Sequence, residues 1–223
     1  MTQTAYDGAV AKLKRVLQWA SEADEDYRHI IRSRDAALAR YRPVFLRSHL
    51  PDLTPDELSG FLRYTNNCHW TNLARRGDGM LADMPRTRAG IDELLDDATP
   101  IEDRINQALP KVSGLGHNIA TAILLVAHPD KYGVWNGTSA KALKDKLGLW
   151  PSSPHGEGKG GRYVALNRLF KRLAKDISLD LWALDALFWS VHKYAPATGF
   201  DAGRTGQGAI GAAFGALRGH IAG

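Results

Sequence analysis

The feature that most constrains the fold is a short glycine turn between two helical patterns. The turn, Val112–Gly116, reads VSGLG, and a second apolar helical pattern begins near His117. Glycine adopts left-handed backbone without steric cost, so two glycines so close together indicate a tight turn. The second pattern has apolar residues at three- and four-residue spacing, small Ala120 where the helices would cross, and an end at Pro129. The sequence therefore predicts a helical hairpin over residues 100–128.

This turn also has a chemical meaning. A glycine turn that leads into a helix N-terminus exposes backbone N–H groups at the positive end of the helix dipole, which suits a phosphate group. We therefore predict that the turn binds the DNA backbone. The candidate residues are consecutive: Ser113, Gly114, Leu115, Gly116, His117 and Asn118. The alternative is an ordinary corner between two helices with a glycine C-cap.

Helical signals continue on both sides of the hairpin. Amphipathic patterns predict helices over residues 5–20, 22–41, 162–173 and 179–194, and capping signatures predict helix starts at Thr54, Asp83, Thr99 and Asn136. No stretch shows convincing strand alternation, so the expected fold class is all-α. The chain of 223 residues is expected to form a single helical unit, with a Gly/Ala-rich tail over residues 195–223.

Composition limits the possible partners. Hydrophobic residues make up 44% of the chain and charged residues 24%, as in ordinary globular proteins. Neither a signal-peptide pattern nor a membrane-spanning apolar run is visible, so we expect a cytoplasmic protein with no membrane partner.

Cys68, the single cysteine, excludes an internal disulfide and is expected to pack in the core. No metal site is expected from the scattered histidines, and no obligate protein partner is evident. A net charge of +5 and a pI near 9.3 favour a polyanion.

A polar and aromatic cluster without amphipathic pattern spans residues 64–70. Asparagine and histidine offer donors and acceptors for the edge of a base, and tryptophan offers a stacking face. We therefore predict that Asn67, His69 and Trp70 belong to a pocket for an extruded base. In the alternative interpretation, Trp70 is a core residue, and Asn66, Asn67 and His69 cap a helix end.

A second anomaly is the carboxylate of Asp185. Four large apolar residues surround it at helical spacing: Leu181, Trp182, Phe188 and Trp189. A carboxylate on such a face either borders a cleft, where it can act in catalysis, or is buried to hold a neighbouring backbone or an arginine. Asp130 and Glu157 are weaker catalytic candidates because both lie in polar loops.

Together these features resemble the helix-hairpin-helix superfamily of DNA base-excision glycosylases. The resemblance is carried by the glycine turn, the small-residue second helix and the segment Lys131–Val134 that leads into a capped helix. It implies a two-lobed, all-helical fold in which a flipped base enters a cleft between the lobes, with double-stranded DNA as the partner and no cofactor. In that family the motif ends in a Val-Asp pair, whose aspartate helps to break the glycosidic bond.

Two departures from the family pattern shape the expected chemistry. Asn118 holds the place of the lysine of strand-cleaving members, so lysine-dependent lyase activity is not expected. The family aspartate falls on Trp135 or Asn136, and neither offers a charge to an oxocarbenium-like centre. The expected catalytic residues are therefore Asn136, which orients water or sugar, and Asp185, which stabilises the developing charge. Trp135 is expected to join the base pocket.

The resemblance thus implies a monofunctional DNA glycosylase that excises a modified base and leaves an abasic site. Because the usual lysine and aspartate are absent, a specialised enzyme against hypermodified phage DNA is expected, similar to the antiviral glycosylases that remove glucosylated hydroxymethylcytosine. Two other functions fit the same residues. A non-catalytic DNA-binding module of a restriction or repair complex needs the hairpin but no pocket, and a helical protein–protein adaptor needs no DNA.

Overall fold

The computed structural model describes residues 2–152 and 158–194, and these residues contain helices and no strand. The α-helices are α1 (Gln3–Ala23), α2 (Glu25–Tyr41), α3 (Pro55–Leu62), α4 (Tyr64–Asn67), α5 (Ala74–Leu81), α6 (Met84–Leu95), α7 (Ile101–Lys111), α8 (His117–Ala127), α9 (Gly137–Lys141), α10 (Lys159–Asp176) and α11 (Leu181–Tyr194). The prediction of an all-α fold is confirmed. Within the same residues no helix is both long and apolar enough to cross a membrane. Glu157 and the tail over residues 195–223 lie outside the described residues.

Local capping chemistry explains where several helices begin. At the start of α3, the Thr54 hydroxyl accepts the Glu57 N–H, and the Glu57 carboxylate accepts the Thr54 N–H at 2.9 Å, which completes the predicted capping box. The capping prediction at Thr99 is wrong. There the N-cap position of α7 is held by Pro100, whose side chain has no hydrogen-bond acceptor. The Thr99 hydroxyl lies one residue too early to cap the helix and donates to Asp96 Oδ2 at 3.1 Å.

Helix α8 lies in the centre of the core. Every residue from Ile119 to Ala127 is buried, so the helix is enclosed all round and not only along the face that the spacing predicts. Helices α2, α6 and α7 pack against it. Its first two residues, His117 and Asn118, are only partly buried. The body of α8 is therefore fixed in the core while its N-terminus reaches the surface.

The last described helix packs against the first two. Helix α11 lies against α1 and α2, where the Ser190 hydroxyl donates to Asp24 Oδ2 at 2.7 Å and Trp182 Nε1 donates to the Ile30 carbonyl at 3.3 Å. The buried apolar side chains of the described residues form one continuous cluster. The arrangement of the whole chain as a single unit, and its division into two lobes, stay predictions.

Candidate functional site

The turn between α7 and α8 depends on Gly114. Its φ is +85°, and an added Cβ would lie closer than 3.0 Å to the Arg76 carbonyl oxygen. Gly116, by contrast, has φ −81° and ψ 168°, and an added Cβ would meet nothing within 4 Å. The expectation that both glycines are needed for the turn is therefore wrong for Gly116, which is the N-cap of α8 in a conformation that any residue adopts.

The N-terminus of α8 offers free backbone donors. Gly116 provides no side-chain cap. Within the residues that the structure describes, the N–H groups of His117, Asn118 and Ile119 have no hydrogen-bond partner, as is usual for the first turn of a helix. The N–H groups of Leu115 and Gly116 are already bonded inside the turn, at 3.2 and 2.8 Å. Because the Leu115 side chain is also buried, a ligand at this helix end meets the backbone of residues 117–119.

Two cations lie near this helix end. Burial, together with the nearby positive charges of Lys159 and Arg76, lowers the pKa of His117 from 6.5 to about 4. The imidazole is therefore neutral at neutral pH. Neither cation forms an ion pair with any residue in the described ranges. A positive helix end beside two unpaired cations forms a surface that suits a phosphate group.

Direct contacts join α8 to the segment that follows it. The Thr121 hydroxyl oxygen accepts the Trp135 N–H at 3.0 Å, and the Trp135 ring stacks on His117 with centroids 4.2 Å apart. One face of this indole is therefore already covered, which limits its predicted role in a base pocket. The next residue, Asn136, caps α9 as its sequence signature predicts: its Oδ1 accepts the Ser139 N–H at 2.8 Å.

Asn136 and Asp185 meet beside Trp70 and His69. Asn136 Nδ2 donates to Asp185 Oδ1 at 3.4 Å, and Trp70 Nε1 donates to Asp185 Oδ2 at 2.9 Å. His69 Nε2 lies 3.1 Å from the same Oδ2, but outside hydrogen-bond geometry, and both His69 ring nitrogens are buried without a partner. We refer to these four residues as the Asp185 cluster. The structure thus brings together four of the predicted site residues from three distant segments.

The partners of Asp185 differ from those that sequence reasoning considered. The buried alternative paired it with backbone or with an arginine, whereas its hydrogen-bond donors are an indole and an amide. Its side chain is 4% exposed. Its two hydrogen bonds come from two different segments of the chain, so the position of this carboxylate is fixed. Its catalytic role stays a prediction.

The side chain of Asn67 organises the turn before Trp70. Its Nδ2 lies 3.0 to 3.3 Å from the carbonyl oxygens of Phe61, Arg63 and Trp70, and its Oδ1 accepts the N–H groups of His69 and Trp70 at 2.8 and 2.7 Å. The residue is 1% exposed. An amide has two donor hydrogens and one acceptor oxygen, and all of them are occupied here. These contacts favour the capping interpretation of Asn67 over contact with a base.

The His69 ring is enclosed by two indoles. It stacks on Trp70 with centroids 4.6 Å apart and an interplanar angle of 8°, and it is tilted against Trp182 at 4.6 Å. Trp70 is itself buried and makes edge contacts with Trp182 and Phe61. Trp70 is therefore a core residue, as the alternative interpretation proposed, and also a partner of Asp185. Sequence reasoning treated Trp182 only as a neighbour of Asp185 and missed its contact with His69.

The backbone of Cys68 connects this stack to α4. Its φ of 57° and ψ of 14° lie in the left-handed region, which costs a non-glycine residue about 1–2 kcal/mol. The thiol is partly buried, and its Sγ lies 3.9 Å from the carbonyl oxygens of Thr65 and Asn66. The expectation that Cys68 packs in the core is wrong, because the residue forms the bend between α4 and His69.

Two surface pockets are lined by other segments. One, of about 390 Å³, lies between residues 42–47 and the region around His128, and the other, of about 450 Å³, lies around residues 97–104 and Tyr132. Neither is lined by a member of the Asp185 cluster. No group of three or more His, Cys, Asp or Glu side chains in the part of the chain that is described is placed to hold a metal ion.

Comparison of the chain with protein-family models, with curated proteins and with solved structures finds no match. The resemblance to helix-hairpin-helix glycosylases therefore stays a prediction. The function is inferred below from the residues of this chain and from their geometry.

Proposed function

We propose that this protein binds double-stranded DNA through the N-terminus of α8 and acts as a monofunctional DNA glycosylase, with Asp185 as its catalytic carboxylate. One observation carries the proposal. Trp135 stacks on His117 at the N-terminus of α8, and the next residue, Asn136, donates to Asp185. Consecutive Cα atoms are only about 3.8 Å apart. The helix end proposed to bind the DNA backbone and the buried carboxylate are thus connected through two adjacent residues. This arrangement suits the binding of one extruded nucleotide.

The DNA-binding part of the proposal is supported by charge and by backbone geometry. The N–H groups of residues 117–119 supply donors for one phosphate, and Arg76 and Lys159 supply exposed positive charges beside them. Such contacts do not depend on base sequence, because every nucleotide carries the same phosphate. The net charge of +5 is consistent with a polyanionic partner.

The chemical part of the proposal depends on the carboxylate. As a base leaves, positive charge develops on the sugar, and a preorganised anion in a water-poor site stabilises that charge. Asp185 is such a group when ionised, because it is buried and held from two sides. The Oδ1 of Asn136 is occupied by its own helix cap. Asn136 is therefore a positioning residue for Asp185, and not the group that orients water.

The proposed reaction is hydrolysis of the N-glycosidic bond, in which water gives a hydroxyl group to C1′ of the sugar and a proton to the departing base, without strand cleavage by a Schiff base. Asn118 stands in the first turn of α8, where strand-cleaving members of the resembled family carry a lysine, and an amide does not form a Schiff base. The substrate class is a modified base in duplex DNA, which costs less to extrude when it is damaged or weakly paired. Hypermodified phage bases, including glucosylated hydroxymethylcytosine, are the first candidates.

A substrate panel tests the proposal. The purified protein is incubated with duplexes that carry unmodified, uracil-containing, alkylated or phage-modified bases, and released base and alkali-labile sites are measured. We expect at least one modified class to yield abasic sites. Asp185→Asn should lose excision and retain DNA affinity, because it preserves shape but removes the charge. The matched control is Asp130→Asn, at an exposed loop aspartate, which should retain excision. Full activity of Asp185→Asn would move the catalytic role to another residue.

A second candidate function, a non-catalytic DNA-binding module, is favoured by the burial of the Asp185 cluster. The side chains of Asp185 and His69 are each 4% exposed, as in a structural core. This function replaces the first if no duplex in the panel yields an abasic site while the protein still binds DNA in a salt-dependent manner. Failure to bind DNA as well would favour the protein–protein adaptor.

A further inference from the structure

The N-terminus of α7 opens onto the surface pocket of about 450 Å³, which Pro100 and Ile101 help to line. Pro100 holds the N-cap position and accepts no hydrogen bond through its side chain. Within the described residues, the N–H groups of residues 101–103 have no hydrogen-bond partner. The positive end of the helix dipole therefore lies uncapped beside a pocket, an arrangement that favours an anion.

A buried arginine with unused donors lines the same pocket. The side chain of Arg104 is 3% exposed. Its Nη1 donates to the Leu94 carbonyl and to Asp97 Oδ1, at 3.1 and 3.3 Å, and its Nη2 donates to the Tyr132 hydroxyl oxygen at 2.6 Å. These bonds use three of the five N–H donors of a guanidinium, and Nε is buried without a partner. Because an unpaired buried donor is costly, an oxyanion that completes its bonding is stabilised here.

The lining of the pocket carries more positive than negative charge. It contains two cations, Arg104 and Lys131, and one carboxylate, Asp97. Lys131 Nζ lies 2.9 Å from Asp97 Oδ2, and this hydrogen bond lowers the pKa of Asp97. The acidic residues in the first turn of α7, Glu102 and Asp103, do not line the pocket. One positive charge of the lining is therefore left without a counter-charge.

We propose that this pocket binds a small organic phosphate, with the phosphate group at the N-terminus of α7. A phosphate group has several oxygens that accept hydrogen bonds from different directions, and the donors here surround it in that way. They are the N–H groups of residues 101–103, the Lys131 ammonium and the Tyr132 hydroxyl. That hydroxyl accepts from Arg104, and its own hydrogen has no acceptor among the described residues.

The space around the phosphate position indicates an organic ligand. The volume of the pocket lies within the roughly 300–1,000 Å³ that small-molecule sites occupy. It adjoins the second pocket, of about 390 Å³, because Asp97 and Ala98 line both. Phe45 and Leu46 line that second pocket, and Leu46 is 52% exposed. We therefore expect the apolar part of the ligand to contact these two side chains.

This site is separate from the helix end that is proposed to bind DNA. Helix α7 has 11 residues, and at about 1.5 Å per residue it is roughly 16 Å long. The pocket lies at the start of α7, whereas the glycine turn that leads into α8 follows its end. Binding of a small phosphate can therefore be measured without DNA, and it does not depend on the glycosylase function.

Titration calorimetry of the full chain in a phosphate-free buffer tests the site with inorganic phosphate, phenyl phosphate and acetate. Phenyl phosphate should bind and should raise the midpoint of thermal unfolding, because a ligand of the folded state stabilises it. It should bind about tenfold more tightly than inorganic phosphate, since its ring buries apolar surface. Acetate should bind more weakly than either, because it offers fewer oxygens and less charge.

Two substitutions test the assigned residues. Lys131→Gln should weaken binding of phenyl phosphate by about tenfold, because it removes a charged donor. Its matched control is Lys111→Gln, since both lysine side chains are 55% exposed and both pair with a carboxylate. Asp97→Asn removes the only carboxylate of the lining, so it should tighten binding by about threefold. Damage to the pocket would not produce such a gain.

Each result supports or overturns a stated part of the assignment. A wild-type protein that does not bind phenyl phosphate overturns the site, and equal affinities of Lys131→Gln and Lys111→Gln overturn its location. Inorganic phosphate or acetate that binds as tightly as phenyl phosphate overturns the assignment to an organic phosphate. Displacement of phenyl phosphate by a short DNA duplex would assign the pocket to the DNA surface instead. Binding of phenyl phosphate by a protein that neither binds nor cleaves DNA supports this site and overturns only the glycosylase function.

Discussion

Replacement of Gly114 by alanine should destabilise the protein, although it adds a single methyl group at a partly exposed turn. Gly114 has φ +85°, in the left-handed region where a residue with a Cβ is strained. The added Cβ would also lie closer than 3.0 Å to the Arg76 carbonyl oxygen. This neighbour is backbone, so it cannot move aside as the end of a flexible side chain would. The strain therefore has to be shared between the turn and α5.

The size of the effect follows from these two costs. The left-handed conformation costs alanine about 1–2 kcal/mol relative to glycine, and the forced displacement of packed backbone adds roughly 1–2 kcal/mol, as overpacking does. We expect the free energy of unfolding to fall by about 2–4 kcal/mol in total. In a protein of this size, each 1 kcal/mol lowers the midpoint of thermal unfolding by about 2–4 °C.

Urea unfolding and thermal unfolding of the purified variant measure this loss. The matched control is Gly116→Ser, two residues away, because Gly116 has negative φ and open space around its Cβ position. Serine is a slightly better N-cap residue than glycine, so this control should be neutral or stabilising by about a few tenths of a kcal/mol. Equal stability of Gly114→Ala and the wild type, or equal losses in both variants, would refute the assignment of the constrained glycine to position 114.

Two further predictions concern charge near the N-terminus of α8. The double change Arg76→Gln and Lys159→Gln should weaken duplex binding for every sequence and lower the magnitude of the slope of log K against log salt by about 2. The matched control is Lys14→Gln, at an exposed lysine of α1. A slope of the double variant equal to that of this control would contradict the binding of phosphate by Arg76 and Lys159. Burial lowers the pKa of His117 from 6.5 to about 4. Between pH 6.5 and pH 4 the unfolded chain therefore binds more protons than the folded protein. The free energy of unfolding should fall as the pH drops from 6.5 towards 4. His117→Gln should reduce the difference in the free energy of unfolding between pH 7 and pH 5, as measured by urea unfolding. A difference as large as that of the wild type would assign the pH dependence to another group.

Features that depend on neighbouring residues were predictable from the sequence. The capping box at Thr54 and the N-cap at Asn136 are confirmed, because a cap needs only a side chain and the backbone two or three positions ahead. Thr99 carries a similar signature but bonds to Asp96. Thr54 is itself the N-cap of α3, whereas Pro100 takes that position in α7, and a sequence signature does not fix the start of a helix to a single residue.

Contacts between distant segments were beyond sequence reasoning. Asp185 and Trp70 were each singled out by a local anomaly, yet they are 115 residues apart, and nothing in either segment shows that the indole donates to the carboxylate. The same holds for the glycine turn. Its shape was predicted, but the choice of Gly114 over Gly116 depends on the approach of Arg76 from another helix. Tertiary packing determines these contacts, and the periodicity of a sequence gives no information about which distant segments meet.

The packing of α11 against α1 and α2 has a consequence for how the protein folds. The hydrogen bonds from Trp182 to Ile30 and from Ser190 to Asp24 join residues 152 and 166 positions apart. Folding slows as the average separation of contacting residues grows, because long loops have to close before these contacts form. Until residues 181–194 have been synthesised, α1 and α2 have no apolar partner on this side. Nascent chains that end earlier therefore expose this surface to chaperones and to one another.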